Sequence, residues 1–479
     1  MLSTTCDPRT DTPWTSRKGP QARAIRLAVV AACSLAAVLS TALAPPATAQ
    51  GLPLIRDSEI EALLSDYAQP IFRTAGLGTG RVAVRLVKNE AFNAFVLDGN
   101  NVFMHTGTLL QAQTPNEVIG VIAHETGHIS GGHMAALRAR IAKDQTRALL
   151  TQILGIGAMI AGGVAGGDGG RDVMSGGQAV LQGGNEVIMR GLLSERRSQE
   201  SAADQAGLKY LNATRQSGKG MLETFERFAQ QEYVSDQYKD PFVRSHPVAT
   251  DRLARLRDLA AASPYFGTPD SAEMQLRHDL MRAKLSGYLE RPGIVMNRYP
   301  ASNTSLPARY ARAVARFFQG GSGALEASIA EIDKLIKDRP DYAYFYELKG
   351  DILMRSGKHA EAVPYLRQAL KIAPDSPLMR VQLATALQQQ GEAGINESIA
   401  LLRKAIVEDK NANAYRMLAN AYYKQGKGPE ADAMTAQAYF LEGNLKQSQI
   451  FAKRAQVKLK PGSPEWLKND DIINYKPQT

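Results

Sequence analysis

The stretch NEVIGVIAHETGHISGGH, Asn116 to His133, decides how this chain is read. Its apolar residues recur at helical spacing through VIGVIA. In front stand Thr114 as N-cap, Pro115 at the first helical position and Glu117 three residues past the cap, the pattern of a capping box. Three of the seven histidines of the chain fall in these eighteen residues. His124 and His128 are four apart, so they share a helix face one turn apart and two imidazoles can converge on one divalent ion. Glu125 stands beside them as a general base, which completes the H-E-x-x-H pattern as HETGH. The apolar flank argues for burial, and buried imidazoles and carboxylates need partners. A single Zn²⁺ per chain, held by His124 and His128, meets that need.

A hydrolytic zinc takes three protein ligands and keeps one position open. A longer pattern, with a third histidine ten residues after the first, fails here. Gly131 fits it, but position 134 is Met134, and His133 falls one residue short, a rotation of about 100° on a helix. His133 is then a residue of the helix face or one that stands behind a ligand. In RRSQESAADQAGLKYL, Glu200 and Asp204 share a helix face, and Ala203 and Gly207 are small enough to let a second helix come close. Glu200 is a candidate third ligand. Asp204 is a candidate acceptor for the second nitrogen of a ligand histidine. The competing reading of this pair is a surface salt bridge with Arg196 and Arg197. In RSHPVATDRLARL, His246 precedes Pro247 at a helix start; it is a candidate displaceable fourth ligand or a group that stabilises an oxyanion.

At 479 residues the chain exceeds one small core. With 44% hydrophobic and 22% charged residues it has the composition of a folded protein. The net charge of +10 is spread over helical faces, without basic blocks interleaved with aromatics, which argues against nucleic acid and for a solvated surface. Arg17, Lys18, Arg23 and Arg26 precede the apolar run LAVVAACSLAAVLSTALA, and Ala47-Thr48-Ala49 follows as a cleavage site, so residues 1–49 read as a signal peptide with an over-extended start. Both cysteines, Cys6 and Cys33, lie there, so an exported mature chain builds its metal site from His, Asp and Glu without disulfides.

Residues 50–290 read as an α+β protease domain of zincin type: a helix in EIEALLSDYAQPIF, then strands in RVAVRLV and AFNAFVLDGNNVFMHTG around a turn at Asp98-Gly99-Asn100, then helices. Residues 155–184 are rich in glycine, poor material for a regular helix, and read as a lid or membrane-contact loop; insertion would need residues 148–166. Residues 291–307 read as a linker and 461–479 as a tail. Between them, over 308–460, Gly323, Gly357 and Gly391 are 34 apart, Gly426 follows 35 later, and Pro340 and Pro374 are 34 apart. That period, with a glycine between two amphipathic stretches, predicts an α-solenoid of tetratricopeptide (TPR)-like helix pairs. The chain as a whole is expected to be mostly α.

The segments AHETGHISGGHMAALRAR, QESAAD and SHPVATDR, in this order, resemble the HExxH…ExxxD…HP signatures of the CAAX prenyl protease/HtpX-type zinc metallopeptidases. NAFVLDGNNVFMHTGTL resembles the strand segment that precedes the active helix there. The resemblance implies His124, His128 and Glu200 as ligands, Glu125 as base, His246 as an occupant of the open zinc position that gates activity, and Arg252 behind the site. A signal peptide, protease domain and TPR array together are similar to periplasmic protease-chaperones. This implies unfolded or stalled outer-membrane proteins and their assembly machinery as partners at the TPR face, with peripheral membrane contact. The competing expectation is a TPR assembly factor with a latent or structural metal site.

Overall fold

The computed structural model describes residues 52–477 apart from 79, 81, 98, 166, 230–240, 248 and 249. The signal-peptide reading of 1–49 lies outside these residues. The first helix, α1 (Ser58–Thr74), is started by Asp57, whose carboxylate accepts from the N–H of Glu59 and Ile60 at 3.0 Å each. Its Ile60, Leu63, Leu64, Tyr67 and Ile71 form one buried stripe at the i, i+3, i+4 spacing of an amphipathic helix. A short β1 (Leu54–Ile55) before the first helix is not among the strands expected from the sequence; β2 (Ala83–Val87), β3 (Ala94–Val96) and β4 (Asn101–His105) follow the sequence expectation, and the sheet order is β1-β2-β4-β3. β2 runs parallel to β4, and β3 antiparallel to it at the sheet edge. The central β4 is buried on both faces, with Val102 and Met104 fully so.

A short helix α2 (Thr106–Gln111) leads to α3 (Pro115–Ser130), the hub of the domain, buried from Pro115 to His128. The Thr114 hydroxyl accepts from Glu117 N–H at 3.3 Å, as the capping signal predicted. The returning half of the box is shifted: Glu117 Oε1 accepts from Gln113 N–H at 2.9 Å, because its other oxygen is drawn to Arg227.

Next come α4 (His133–Ala165) and α5 (Gly167–Ala213). The glycine-rich 155–184 therefore carries helical backbone, against the sequence expectation. The two helices lie along each other, with Arg140 Nη1 3.2 Å from Glu195 Oε2 and Ile141 facing Ile188 and Leu192. Mutual packing offsets the cost of about 1 kcal/mol per interior glycine. Most side chains of 155–184 lie outside the described residues, and so does the lid or membrane-contact reading. Among the described residues no helix is long and apolar enough to cross a membrane.

α5 packs on α3 through bare contacts. A Cβ on Gly127 would stand 2.6 Å from the carbonyl oxygen of Ala203, and one on Gly207 would stand 3.1 Å from Ala123. The domain is completed by α6 (Lys219–Ala229), α7 (Pro241–Ser245), α8 (Thr250–Ala261) and α9 (Ala272–Leu289). Residues 291–307 include the helix α10 (Pro292–Arg298).

Helix pairs then stack in series: α11 (Leu306–Gln319) with α12 (Ala324–Asp338), α13 (Ala343–Arg355) with α14 (His359–Ile372), α15 (Pro377–Leu387) with α16 (Gly391–Glu408), α17 (Ala412–Lys424) with α18 (Gly428–Leu441), and α19 (Leu445–Gln456) with α20 (Pro464–Asn474). The repeat glycines turn the corner inside each of the first four pairs: Gly323, Gly357, Gly391 and Gly426 have φ of 77°, 76°, 70° and 73°, where a side chain strains the backbone. The solenoid holds the start of α1. Glu59 accepts from the hydroxyls of Tyr310 at 2.8 Å and Tyr342 at 2.6 Å, and Lys284 Nζ lies 2.8 Å from Asp57 and 3.5 Å from Glu347.

Candidate metal centre

Three segments meet beneath β3. α3 brings His124, Glu125 and His128. The adjacent α5 brings Glu200 and Asp204, one turn apart on the face toward α3. The turn after α7 brings His246, whose N–H bonds Phe242 O at 2.7 Å. That turn is tied down on both sides: Arg196 donates to Ser245 O at 2.9 Å, and Ser245 Oγ donates to Asn93 Oδ1 at 3.1 Å.

The side chains of His124, His128, Glu200 and His246 offer donor atoms that all lie within 4.8 Å of one another, and all four residues are buried. His124 Nε2 is 3.2 Å from His128 Nε2, 3.2 Å from His246 Nδ1 and 3.4 Å from Glu200 Oε2. Glu200 Oε1 is 3.4 Å from His128 Nε2, and Glu200 Oε2 is 3.1 Å from His246 Nδ1. Donors around a tetrahedral zinc at about 2.0–2.1 Å stand about 3.3–3.4 Å from one another. The five distances given are close to that spacing, and all four donors lie within 4.8 Å of one another, so the residues fit the ion expected from the sequence.

The nitrogens facing away are held as well. His124 Nδ1 is 3.0 Å from Asp204 Oδ1. Asp204 in turn takes Arg252 Nε at 2.5 Å and Nη2 at 2.8 Å, and Arg252 Nη1 lies 3.0 Å from Glu200 Oε2. Burial alone would raise the Asp204 carboxyl, but the Arg252 hydrogen bonds bring it below its ordinary value. Burial likewise opposes ionisation of Glu200, but the charge of His246 and the hydrogen bonds of His124, His128 and His246 together hold that carboxyl well below the usual range. His133, which the sequence left between two roles, puts its Nδ1 3.0 Å from His128 Nδ1. The sequence did not point to the carbonyl oxygen of Ala94, which lies 3.2 Å from His246 Nε2; backbone atoms leave no signal in a motif.

Glu125 is 1% exposed, and its Oε1 has no hydrogen-bond partner. His246 Nε2 approaches it to 3.2 Å but is angled toward Ala94 O instead. A buried carboxylate oxygen beside four convergent donor atoms is placed to take a proton from a water or substrate group. The cavity beside it, about 140 Å³, is lined by Phe95, Val96, Met134 and Leu137 together with Glu125 and His246.

Site and solenoid together fit a metalloprotease with TPR repeats. Residues 55–260 match the family described as Peptidase family M48, and residues 310–377 match Tetratricopeptide repeat; both matches support a metalloprotease with TPR repeats. It is similar to the Beta-barrel assembly-enhancing protease of Yersinia pestis, 25% identical over 88% of this chain and 84% of that one. The protein of the same name from Escherichia coli (strain K12) is 23% identical over the same shares. The Metalloprotease LoiP of that strain is 29% identical over 36% of this chain and 59% of its own.

Proposed function

We propose that this protein is a zinc-dependent endopeptidase of the cell envelope that degrades or helps assemble misfolded or stalled outer-membrane proteins. The observation that carries the reading is the convergence of the donor atoms of His124, His128, Glu200 and His246, all within 4.8 Å of one another, beside the buried carboxylate of Glu125. In this reading His124, His128 and Glu200 are the ligands of one zinc ion and His246 takes the fourth position. When bound, the ion polarises a substrate carbonyl and acidifies water. Glu125 Oε1 takes the proton of the attacking water and returns it to the leaving amine. Asp204 and Arg252 fix the ring of His124 and the carboxylate of Glu200.

An extended, unfolded chain suits the edge of the sheet. Among the described residues β3 pairs only with β4, so its outer side offers backbone groups for strand addition within reach of Glu125. The similarity to beta-barrel assembly-enhancing proteases over most of both chains supports outer-membrane proteins as substrates, a periplasmic location after signal-peptide removal, and recruitment of assembly machinery by the TPR face.

Glu125→Gln tests the reading. It should retain zinc and fold while losing about 10²–10⁴-fold in the rate of cleavage of an unfolded outer-membrane protein. A variant that cleaves as fast as the parent overturns it. One observation favours a second reading, a TPR assembly factor with a latent site: His246 fills the position that a reacting group needs. A parent protein that binds zinc and unfolded outer-membrane protein but leaves it intact, also as His246→Ala, would establish that alternative.

A further inference from the structure

We infer that His133 is the residue that orients His128 toward the metal, and that the two glycines before it exist to place its ring. This rests on the zinc reading above. The Nε2 of His128 faces the other donors, 3.2 Å from His124 Nε2 and 3.4 Å from Glu200 Oε1. For that nitrogen to offer its lone pair, the ring proton must sit on Nδ1, and an acceptor must hold it there. The group at that place is His133 Nδ1, at 3.0 Å. His128 Nδ1–H therefore donates to His133 Nδ1, and His133 carries its own proton on Nε2. The two rings meet edge to face, 4.9 Å between centroids at 81°.

The chain between the two histidines is shaped for this contact. α3 ends at Ser130 and α4 begins at His133, so only two residues make the corner. Gly132 takes φ 63°, the left-handed region that a side chain rarely adopts. Gly131 leaves room for the ring: a Cβ there would stand 2.4 Å from His133 Nε2 and 2.9 Å from Cδ2 and Cε1. The imidazole thus folds back over a bare backbone to reach His128, and at 9% exposure it is buried there. The two ligand histidines are held by unlike acceptors: His124 by the Asp204 carboxylate, locked by Arg252, and His128 by a second imidazole. This accounts for the third histidine of the opening stretch and for GGH two residues after the motif.

The test compares His133→Leu, which fills the space without an acceptor, with His133→Asn, whose Oδ1 takes the place of Nδ1. Zinc affinity is read on the purified full chain by competition with a chromophoric chelator, and the metal-free proteins are melted alongside. His133→Leu should lose about 10- to 100-fold in zinc affinity and His133→Asn no more than about threefold. The metal-free proteins should melt together. A His133→Leu protein that binds zinc as tightly as the parent overturns the inference. So does a His133→Asn protein as weak as His133→Leu, since a packing role would treat both alike. Should His133→Leu fail to fold, Gly131→Ala, which displaces the ring without removing it, should show the same loss; unchanged affinity there overturns the inference equally. A parent that takes up no zinc overturns the metal reading itself and this inference with it.

Discussion

The Nε2 of His246 lies 3.2 Å from the carbonyl oxygen of Ala94, so one imidazole spans the metal site and the outer edge of the sheet. Its Nδ1 stands among the donor atoms while its Nε2 takes up a backbone acceptor that an added substrate strand would use. In this arrangement one side chain blocks both the open position and the strand edge. His246→Ala should raise basal cleavage of an unfolded substrate several-fold, read as initial rate at saturating zinc. An unchanged or lower rate would show that His246 helps the reaction instead of gating it.

Asp204 is held by Arg252 and holds His124. Asp204→Asn loses the charge that pairs with Arg252 and no longer dictates which nitrogen of His124 carries the proton. Zinc affinity should fall about 10- to 100-fold with the fold retained. Zinc retained per chain after dialysis against a weak chelator, with a melting curve alongside, measures this; full retention would detach the pair from the site.

Gly127 touches Ala203 at a distance where no Cβ fits, and that contact sets how near Glu200 comes to the histidines. Gly127→Val should destabilise the fold by about 1–3 kcal/mol and reduce bound zinc. Gly428→Ala is the control: a Cβ there meets nothing within 4 Å, and at that helical position the change should be neutral or stabilising by about 0.4–1 kcal/mol. Chemical denaturation with metal analysis separates the two.

Where the solenoid meets α1, Asp57, Glu59 and Glu347 surround the single ammonium of Lys284. Burial pushes the Glu347 carboxyl up from 4.5 to about 7. A carboxyl that binds its proton more tightly folded than unfolded stabilises the fold below pH 4.5, and that contribution is lost as pH rises through about 7. Glu347→Gln cannot ionise. Relative to the parent it should gain stability between about pH 5 and pH 8, by up to a few kcal/mol. Parallel pH-dependent denaturation curves for the two proteins would refute the shift.

Much of this architecture was legible in the sequence because it rests on local periodicity. HETGH places His124 and His128 on one face whatever surrounds them, and Thr114-Pro115 starts their helix. The 34-residue spacing of Gly323, Gly357 and Gly391 reports a corner whose left-handed φ only glycine adopts at low cost. Residues 155–184 misled for the complementary reason: glycine count measures intrinsic helix cost, and what stabilises α4 and α5 is each other.

The sequence by itself determined the helix that carries HETGH, the strands before it, the repeat behind it and the set of residue types able to hold a metal. Tertiary structure alone decided that Glu200 and His246, 76 and 122 residues beyond His124, come within 3.4 Å of it, that Ala94 meets His246, and that His133 turns back on His128. Those distances depend on how close two helices approach and how one corner turns. Such quantities are set by packed volume and backbone angle summed over the whole domain, and no local pattern of side chains encodes them.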